Sequence, residues 1–310
     1  MITRVSGDLF QSPARVLVNP VNTVGVMGAG LARDFKRFYP DMFEQYRSLC
    51  HADAFDVGKL WLYRTSHKWV LNFPTKKHWR AGSRLEYLEA GLTKFAATFA
   101  EKGITSVSFP RLGSGQGGLD WETEVRPLME AYLGPLPISI YLHDDPENNR
   151  FAPERRNARA IRSWLVGQPQ IVTFAKFWRD LTRMIDKHDQ FATLDDDSIN
   201  FRAGQDTGSR RRLGRNLVIL HPGPQPLFVS ESLLVDLWTY IRGAGYILPQ
   251  NLPGGLDERA PYIIALLAGL DYLRPVHLAV VDSEPVVGLH YVPPVEKEEK
   301  SLAVTLKAKG

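Results

Sequence analysis

The N-terminal half of the chain alternates short apolar runs with amphipathic segments, and this alternation restricts its fold more than any other feature. Residues 15–21 contain an apolar run, and residues 29–39 place apolar side chains at helical spacing. Residues 83–100 are predicted to form a helix with Ser83 as its N-cap and Glu86 completing a capping box. Strands that alternate with helices form a largely parallel sheet that is covered on both faces.

Two glycine-rich segments, residues 25–30 and 113–118, each follow a predicted strand and precede a predicted helix. Loops of this kind meet at the carboxyl edge of a parallel sheet, where ligands bind. The sequence GSGQGG at 113–118 allows several backbone N–H groups to point at one spot, and a helix that starts near Trp121 adds the positive end of its dipole. This suits a phosphate or diphosphate; a tight turn without a ligand is the alternative. The segment is neither a P-loop nor a dinucleotide-binding fingerprint.

Polar side chains accompany these loops. Asn22 lies where its carboxamide can reach a sugar hydroxyl beside a diphosphate, and Asp8 follows the first strand, where it can accept a hydrogen bond from an exocyclic amine. Both residue types are also common in turns, which gives each a purely structural alternative. Asn19 is predicted to satisfy local backbone groups.

Composition and charge exclude several classes of protein. The one cysteine, Cys50, rules out an internal disulfide and a cysteine-rich zinc site, and it fits a reducing cytoplasm. The N-terminus lacks a secretion signal, and no window approaches the roughly 18 apolar residues of a membrane span. The net charge of +4 divides evenly, with 19 basic and 17 acidic residues before position 156 and the same numbers after it. We therefore expect no membrane association, no metal and no cofactor, and charge alone does not argue for a nucleic-acid partner.

The polar segment at residues 144–156 is the predicted domain boundary, which divides the chain into domains 1–153 and 154–310. The second domain is predicted to be a smaller α+β unit, with strands at 276–281 and 286–291. Four histidines are scattered through it without the spacing of metal ligands. The acidic run Asp195, Asp196 and Asp197 either mimics DNA phosphates in a basic cleft of a partner or forms a solvated loop.

The motifs of the first domain together resemble the macrodomain family of ADP-ribose-binding α/β/α modules. They are GDL at residues 7–9, VNPVNTVGVMGAGLA at 18–32 and FPRLGSGQGGLDW at 109–121. The resemblance implies a three-layer sandwich in which Asp8 and Leu9 bind adenine, Asn22 holds the distal ribose, and the glycine loops bind the diphosphate. The residues it implies for ADP-ribose binding are Asp8, Leu9, Asn22, Thr23, Met27, Gly28, Ala29, Gly30, Gly113, Ser114, Gly115, Gln116, Gly117 and Tyr141.

The segment NFPTKKHWRAGSRLEYLEAGL, residues 72–92, resembles the branch of glycohydrolase macrodomains that uses a lysine, in particular the DarG antitoxins of DarT–DarG systems. The resemblance implies a catalytic lysine in TKKHWR, and we favour Lys76, which is nearer the strand end, over Lys77. A related human glycohydrolase pairs its lysine with an aspartate in the second glycine loop, where this chain has Gly117. Asp120 lies three residues on and is a candidate N-cap instead, so a covalent lysine intermediate is not implied.

The resemblance implies an antitoxin that removes ADP-ribose from thymidine bases of single-stranded DNA. The segment from residue 233 to 281 resembles the toxin-binding domain of the same antitoxins, which implies a DarT-type toxin as partner. In the proposed chemistry a lysine ammonium stabilises the departing base or protonates it, with Asn22 orienting the ribose and His78 as an alternative acid. Trp79 either contacts the base or packs beneath its loop. Two other functions remain open: a non-catalytic ADP-ribose reader, and a glycohydrolase that acts on protein-linked ADP-ribose.

Overall fold

A nine-stranded mixed sheet is the largest element of the computed structural model, which describes residues 2–144, 158–167, 169–188, 190–206, 216–223, 225–280 and 283–295. Six of its strands come from the first half of the chain: β1 (Ile2–Ser6), β2 (Val16–Val21), β3 (Trp61–Tyr63), β4 (Trp69–Pro74), β5 (Ser106–Pro110) and β6 (Ser139–His143). The neighbours β1–β6, β6–β5, β5–β2 and β2–β4 run parallel, and β3 lies antiparallel to β4 at one edge. The predicted, mostly parallel sheet is confirmed.

Helices cover both faces of this sheet, as predicted for a three-layer α/β/α sandwich. The helices of the first half are α1 (Gly30–Phe38), α2 (Pro40–His51), α3 (Leu85–Thr98) and α4 (Arg126–Leu133). One core joins α3 and α4 to the sheet, and a second core joins α1 and α2 to the opposite face. The central strand β2 supplies both cores: Val16 and Val18 face the first and Leu17 faces the second, each fully buried. Its apolar run follows from burial on both faces.

A four-stranded antiparallel sheet with its own helices forms in the second half, which agrees with the predicted α+β composition. The sheet contains β7 (Phe191–Ala192), β8 (Asn200–Asp206), β9 (Asn216–Leu220) and β10 (Leu227–Ser230). It shares a core with α6 (Phe174–Lys187), α7 (Glu231–Ala244) and α8 (Ala260–Leu267), in which the rings of Phe177 and Trp238 stack with their centroids 4.4 Å apart. Among the described residues no helix has the length and apolar character needed to cross a bilayer.

The last strands of the chain join the first sheet. β12 (Leu273–Val280) runs antiparallel to β1, with Thr3 opposite Val280 and Ser6 opposite His277, and β13 (Val286–Tyr291) and β11 (Tyr246–Ile247) follow outward. The helix α5 (Ala158–Val166) also packs into the α1–α2 core. The predicted boundary between residues 153 and 154 falls within 145–157, outside the described residues, so the division into 1–153 and 154–310 stays a prediction.

The predicted capping box at Ser83 is wrong. α3 begins at Leu85, with Arg84 in the N-cap position and no side-chain cap. The Ser83 backbone N–H instead donates to the carbonyl of Gly117 at 2.9 Å, and the Ser83 hydroxyl is buried. A long-range hydrogen bond to the glycine loop has therefore replaced the local capping pattern that the sequence suggested.

His290 ties the C-terminal strands to the beginning of the chain. Its Nε2 lies 3.0 Å from the carbonyl oxygen of Gln11, and its ring packs on Tyr246 with centroids 4.5 Å apart. Burial, with His143 and Arg274 adding in the same direction, lowers the pKa of His290 to about 3. The ring is therefore neutral in the folded protein and takes up a proton only on unfolding.

We predict that this histidine makes the protein less stable in acid. Because the folded pKa is lowered, the unfolded chain binds the extra proton below pH 6.5, and stability falls as the pH drops from 6.5 towards 3. Between pH 7 and pH 5 the wild type should lose about 2 kcal/mol more unfolding free energy than His290→Gln. Urea unfolding at both pH values measures the difference, with the exposed His51→Gln as control. Equal losses in wild type and His290→Gln would contradict the prediction.

Candidate functional site

A cavity of about 650 Å³, here called the lysine cavity, opens at the carboxyl ends of the neighbouring parallel strands β2 and β4. Three segments contribute to it: the first loop (residues 22–30), the lysine segment (75–83) and the glycine loop (113–118). Its lining residues are Pro20, Val21, Asn22, Val26, Gly28, Ala29, Ala32, Thr75, Lys76, Trp79, Arg80 and Gln116. The fold thus brings the two glycine-rich segments and the TKKHWR motif to one place, as the sequence predicts.

Asn22 holds the first loop in a closed conformation. Its Oδ1 accepts hydrogen bonds from the backbone N–H groups of Val24 and Val26, and its Nδ2 donates to the Val26 carbonyl at 2.6 Å. The Tyr46 hydroxyl donates to the Asn22 carbonyl at 2.8 Å and lies 3.1 Å from Oδ1. Gly25 completes the turn with a positive φ of 78°, a conformation that favours glycine. Asn22 therefore has the structural role of a turn residue and also lines the lysine cavity.

The first loop delivers the start of α1 to the lysine cavity. Ala29 is the N-cap residue, is extended, and provides no side-chain cap for the first backbone N–H groups of α1. Gly28 and Ala29 line the lysine cavity, so the positive end of the helix dipole lies beside it. Thr23 joins the loop to the lysine segment, since its backbone N–H and hydroxyl both donate to the Lys77 carbonyl. Met27 is buried beneath the loop and is not part of the lining.

Lys76 is the buried lysine of this site. Its side chain lines the lysine cavity, the residue is 8% exposed, and its Nζ donates to the backbone carbonyl of Gln116 at 2.8 Å. Burial lowers the pKa of Lys76 below that of a free lysine. The amine is thus held by the glycine loop, at the position where the first loop and the lysine segment meet.

Lys77 points away from this arrangement. The residue is exposed and does not line the cavity, and its backbone carbonyl accepts the two hydrogen bonds from Thr23. Of the two lysines that the sequence left as candidates, the geometry therefore favours Lys76.

The glycine loop packs so tightly on the lysine segment that a side chain at Gly117 has no room. A Cβ atom there would lie 2.2 Å from the Gly113 carbonyl oxygen and 2.3 Å from the Ser83 hydroxyl. The Gly117 carbonyl itself accepts the hydrogen bond from the Ser83 N–H. An aspartate, as in the related human enzyme, does not fit this conformation. Gly115 has open space around it, so the loop presents backbone at its tip.

Asp120 is an N-cap, as the sequence suggested. Its Oδ1 accepts hydrogen bonds from the N–H and the hydroxyl of Thr123, both at 2.7 Å, at the start of the π-helical turn Trp121–Val125 that leads into α4. These hydrogen bonds lower the pKa of Asp120. Asp120 lines a separate cavity of about 560 Å³ on the far side of the glycine loop, together with Arg4, Arg111 and Asp144. It is therefore not a partner for Lys76.

The electrostatic character of the lysine cavity is cationic. Among the described residues that line it, Lys76 and Arg80 are ionisable and none carries a carboxylate. Within the described residues no group of three or more His, Cys, Asp or Glu side chains could hold a metal ion. The polar side chains of the described lining are the Lys76 amine, the Arg80 guanidinium, the carboxamides of Asn22 and Gln116, the Thr75 hydroxyl and the Trp79 indole.

Trp79 forms the rim of the lysine cavity. Its side chain is 48% exposed, so the ring does not pack beneath its loop but is open to solvent. The His78 ring stacks on it with centroids 5.6 Å apart, and the Arg80 guanidinium lies 4.5 Å from its centroid on the same rim. The His78 Nδ1 accepts a hydrogen bond from the Arg80 N–H at 3.2 Å. His78 does not line the lysine cavity.

Asp8 and Leu9, which the resemblance assigns to adenine, and Tyr141, which it implies as a flanking residue of the same base, lie elsewhere. Asp8 is the N-cap of the 3₁₀ helix Leu9–Gln11, and its carboxylate accepts the Phe10 N–H at 2.9 Å. Leu9 is 3% exposed and belongs to the core below. Tyr141 lies within β6, where its ring packs on Tyr246 and its hydroxyl donates to the Ala244 carbonyl at 3.4 Å. None of the three lines the lysine cavity, and their contacts with adenine stay predictions.

The role predicted for Asn19 is wrong, and the sequence analysis did not identify Thr75 as a residue of the cavity. The Asn19 carboxamide donates to the Asn72 carboxamide oxygen at 2.9 Å, across the pair of strands β2 and β4, rather than to local backbone. Thr75 lines the lysine cavity directly after β4, as Asn22 does after β2. The signal was present in the sequence, because the ends of adjacent parallel strands lie side by side.

The first half of the chain is similar in sequence to known proteins that contain a Macro domain. Residues 18–128 match the Macro domain family model. A DNA ADP-ribosyl glycohydrolase of Mycobacterium tuberculosis is 47% identical over 136 residues, which are 43% of this chain and 39% of that protein. A DNA ADP-ribosyl transferase–DNA ADP-ribosyl glycohydrolase fusion protein of Thermosipho africanus is 37% identical over 162 residues, 46% of this chain and 42% of that protein. The chain thus spans about two-fifths of the length of these curated relatives.

Solved structures include the macrodomain of Mycobacterium tuberculosis DarG. It is 43% identical, and the alignment covers 47% of this chain and 99% of that chain with a TM-score of 0.45.

The tight packing at Gly117 predicts that a single methyl group there destabilises the fold. Gly117→Ala should cost about 1–3 kcal/mol of unfolding free energy, because the glycine loop or Ser83 must move to admit the Cβ. Gly115→Ala, in open space on the same loop, is the matched control and should change stability by less than about 0.5 kcal/mol. Urea unfolding measures both variants. Equal stabilities for the two variants would show that the loop yields at no cost.

Proposed function

Residues 18–128 of this chain form a Macro domain similar in sequence to those of DNA ADP-ribosyl glycohydrolases, and from this premise we propose that the chain removes ADP-ribose from thymidine bases of single-stranded DNA. The observation that carries the proposal is the position of Lys76. The buried side chain of Lys76 lines the lysine cavity, and its amine donates a hydrogen bond to the backbone of the glycine loop. The N-terminus of α1 borders the same cavity.

In this proposal the diphosphate lies between the first loop and the glycine loop. The uncapped N–H groups of α1 and the backbone of Gly115 and Gln116 supply hydrogen-bond donors for its oxygens. Ser114 lines the other cavity, and its contact with the diphosphate stays a prediction. The distal ribose then faces Asn22 and Lys76, both of which line the lysine cavity. The bond to be cut, from C1 of this ribose to a thymine ring nitrogen, is thereby placed next to the buried amine.

The reaction is hydrolysis of a carbon–nitrogen bond. As the bond breaks, the electron pair leaves with the thymine nitrogen and positive charge develops on the ribose. The Lys76 ammonium stabilises the negative charge on the departing base and gives it a proton, while the oxygen of a water molecule bonds to C1 and the proton that this water loses restores the Lys76 ammonium. The diphosphate stabilises the positive ribose electrostatically. Because burial lowers the pKa of Lys76, the ammonium is a stronger acid than that of an ordinary lysine.

A covalent bond between lysine and ribose has no support in this site. An aspartate cannot replace Gly117 in the observed conformation, and the Asp120 carboxylate is engaged with Thr123 and lines the other cavity. In the part of the chain that the structure describes, no carboxylate lines the lysine cavity to activate the amine as a nucleophile. The proposed role of Lys76 is therefore that of an acid and a cation.

Substitution of the two lysines tests the proposal directly. Lys76→Met keeps the aliphatic stem and removes the ammonium, and it should lower kcat on an ADP-ribosylated thymidine oligonucleotide by a factor of about 10² to 10⁴. Lys77→Met, a neighbouring exposed lysine, is the matched control and should keep kcat within about twofold of wild type. Release of ADP-ribose, followed by chromatography, measures turnover. The wild-type kcat/KM, which reports the free protein, should also fall on the alkaline side at a pH below the free-lysine pKa of about 10.4.

The same assay distinguishes the other functions. Full turnover by both lysine variants would refute the role of lysine. Binding of ADP-ribose in calorimetry without any release from DNA would make the chain a reader, and release from a protein-linked substrate alone would change the substrate class.

Asn22→Ala should weaken ADP-ribose binding because its hydrogen bonds hold the first loop.

We further propose that the second half of the chain binds a DNA ADP-ribosyl transferase and blocks it. Support comes from the Thermosipho africanus relative, whose name records both activities in one protein. Asp195, Asp196 and Asp197 are exposed, as an imitation of DNA phosphates requires. Asp196 is partly used in its own turn, where its Oδ1 accepts the Ser198 N–H and hydroxyl.

Co-elution of the full chain with a catalytically inactive cognate transferase tests this partner. We expect a complex in size-exclusion chromatography that weakens as salt increases, because charged groups carry part of the binding. The double variant Asp195→Asn with Asp197→Asn should weaken the complex if these carboxylates imitate phosphates. A complex of unchanged affinity would identify the acidic run as a solvated loop, and the absence of any complex would refute the partner.

A further inference from the structure

The charges of the chain are balanced overall but not around the mouth of the lysine cavity. Two segments border this mouth, residues 30–37 on α1 and residues 77–84 after Lys76. Together they contain six lysines or arginines and one acidic residue, Asp34. The whole chain has 38 basic and 34 acidic residues, so these two short segments concentrate the positive charge at the opening.

On the lysine-segment side, the basic charge is combined with an exposed aromatic ring. Trp79 offers a face that is 48% exposed, flanked by the His78 ring at 5.6 Å and the Arg80 guanidinium at 4.5 Å. Arg80 is exposed and Trp79 also lines the lysine cavity, so this stack runs from the cavity to the outer surface. An indole next to a guanidinium is a surface on which a nucleobase stacks while its phosphate meets a cation.

On the α1 side, the cations continue the helix face that lines the lysine cavity. Ala29 and Ala32 contribute to the lining, and Arg33 and Lys36 follow each of them by four residues, the spacing at which helical side chains are neighbours. Arg33 is exposed. Lys36 is also exposed, and its ammonium lies 4.0 Å from the centroid of the Phe43 ring on α2. The mouth therefore has cations on both flanks and an aromatic ring on one.

We propose that this mouth is a track for a single DNA strand: a base next to the modified thymidine stacks on Trp79, and the backbone phosphates contact Arg80 on one flank and Arg33 on the other. The inference rests on the proposed function and says how the protein holds the DNA on either side of the modified thymidine. A single strand is favoured over a duplex because stacking on Trp79 requires an unpaired base. A protein substrate offers no row of phosphates to match the cations on two flanks.

The experiment compares two substrates with the full chain: ADP-ribosylated thymidine as a single nucleoside, and a nine-nucleotide strand with the same modification at its centre. The measured quantity is the ratio of kcat/KM for the strand to kcat/KM for the nucleoside. In wild type this ratio should exceed about 10, and Trp79→Ala should lower it by about 5- to 150-fold. Phe228→Ala, which removes an exposed ring of the second sheet, is the matched control and should leave the ratio unchanged.

Salt dependence tests the phosphate-binding role of the two arginines separately. Arg33→Ala and Arg80→Ala should each reduce the slope of log kcat/KM for the strand against log salt concentration by about 0.7 for each phosphate that the variant no longer neutralises. Arg179→Ala, the same change at an exposed position on α6, should leave the slope at its wild-type value.

The outcomes separate the two proposals. Equal kcat/KM for nucleoside and strand in wild type overturns the track while the proposed function stands. A strand preference that survives Trp79→Ala and both arginine variants also overturns it. Release of ADP-ribose from a protein-linked substrate with neither DNA substrate cleaved refutes the proposed function, and the track falls with it.

Discussion

The close approach of the chain at Gly117 to the segment that carries Lys76 is the constraint on which the site depends. Two hydrogen bonds join the two segments: Lys76 Nζ to the Gln116 carbonyl at 2.8 Å, and Ser83 N–H to the Gly117 carbonyl at 2.9 Å. They connect loops that leave different strands, β4 and β5, and that lie about 40 residues apart in the sequence. Because a side chain at Gly117 would separate them, the composition of the glycine loop determines where the amine lies.

The C-terminal half completes the sheet on which this site is built. In the described residues β1 has a strand on each side, with β6 parallel on one edge and β12 antiparallel on the other. An uncovered edge strand would leave a row of unpaired backbone groups. Interactions beyond the sheet reinforce the join, since His290 binds the Gln11 carbonyl and the Arg274 guanidinium donates to the Gln11 carboxamide at 2.7 Å. The segment capped by Asp8 is thus fixed from both halves of the chain.

The sequence predicted the features that depend on local pattern or on the parallel sheet, and it failed where distant residues decide. The glycine-rich loops, the position of Asn22 and the cap at Asp120 follow from residue type and from the rule that parallel strand ends meet at one edge. The capping box at Ser83 did not form because the Gly117 carbonyl competes for its N–H, a partner that local spacing cannot reveal. The burial of Tyr141 under Tyr246 depends on a strand more than 100 residues later. The pairing of β12 with β1 could likewise not be predicted, because the alternation of strand and helix segments describes only neighbours along the chain.

The lack of a carboxylate beside Lys76 connects binding to chemistry in the proposed reaction. Burial of Lys76 lowers the pKa of its amine. A diphosphate between the two loops would bring negative charge close to the same amine, and opposite charges in a partly buried site favour the protonated form. In this proposal the diphosphate of the substrate acts as the counter-ion of Lys76. It thereby keeps the lysine protonated, so that a proton is available for the departing base. A carboxylate at position 117 would favour the protonated lysine with or without substrate, whereas the glycine leaves this role to the bound diphosphate.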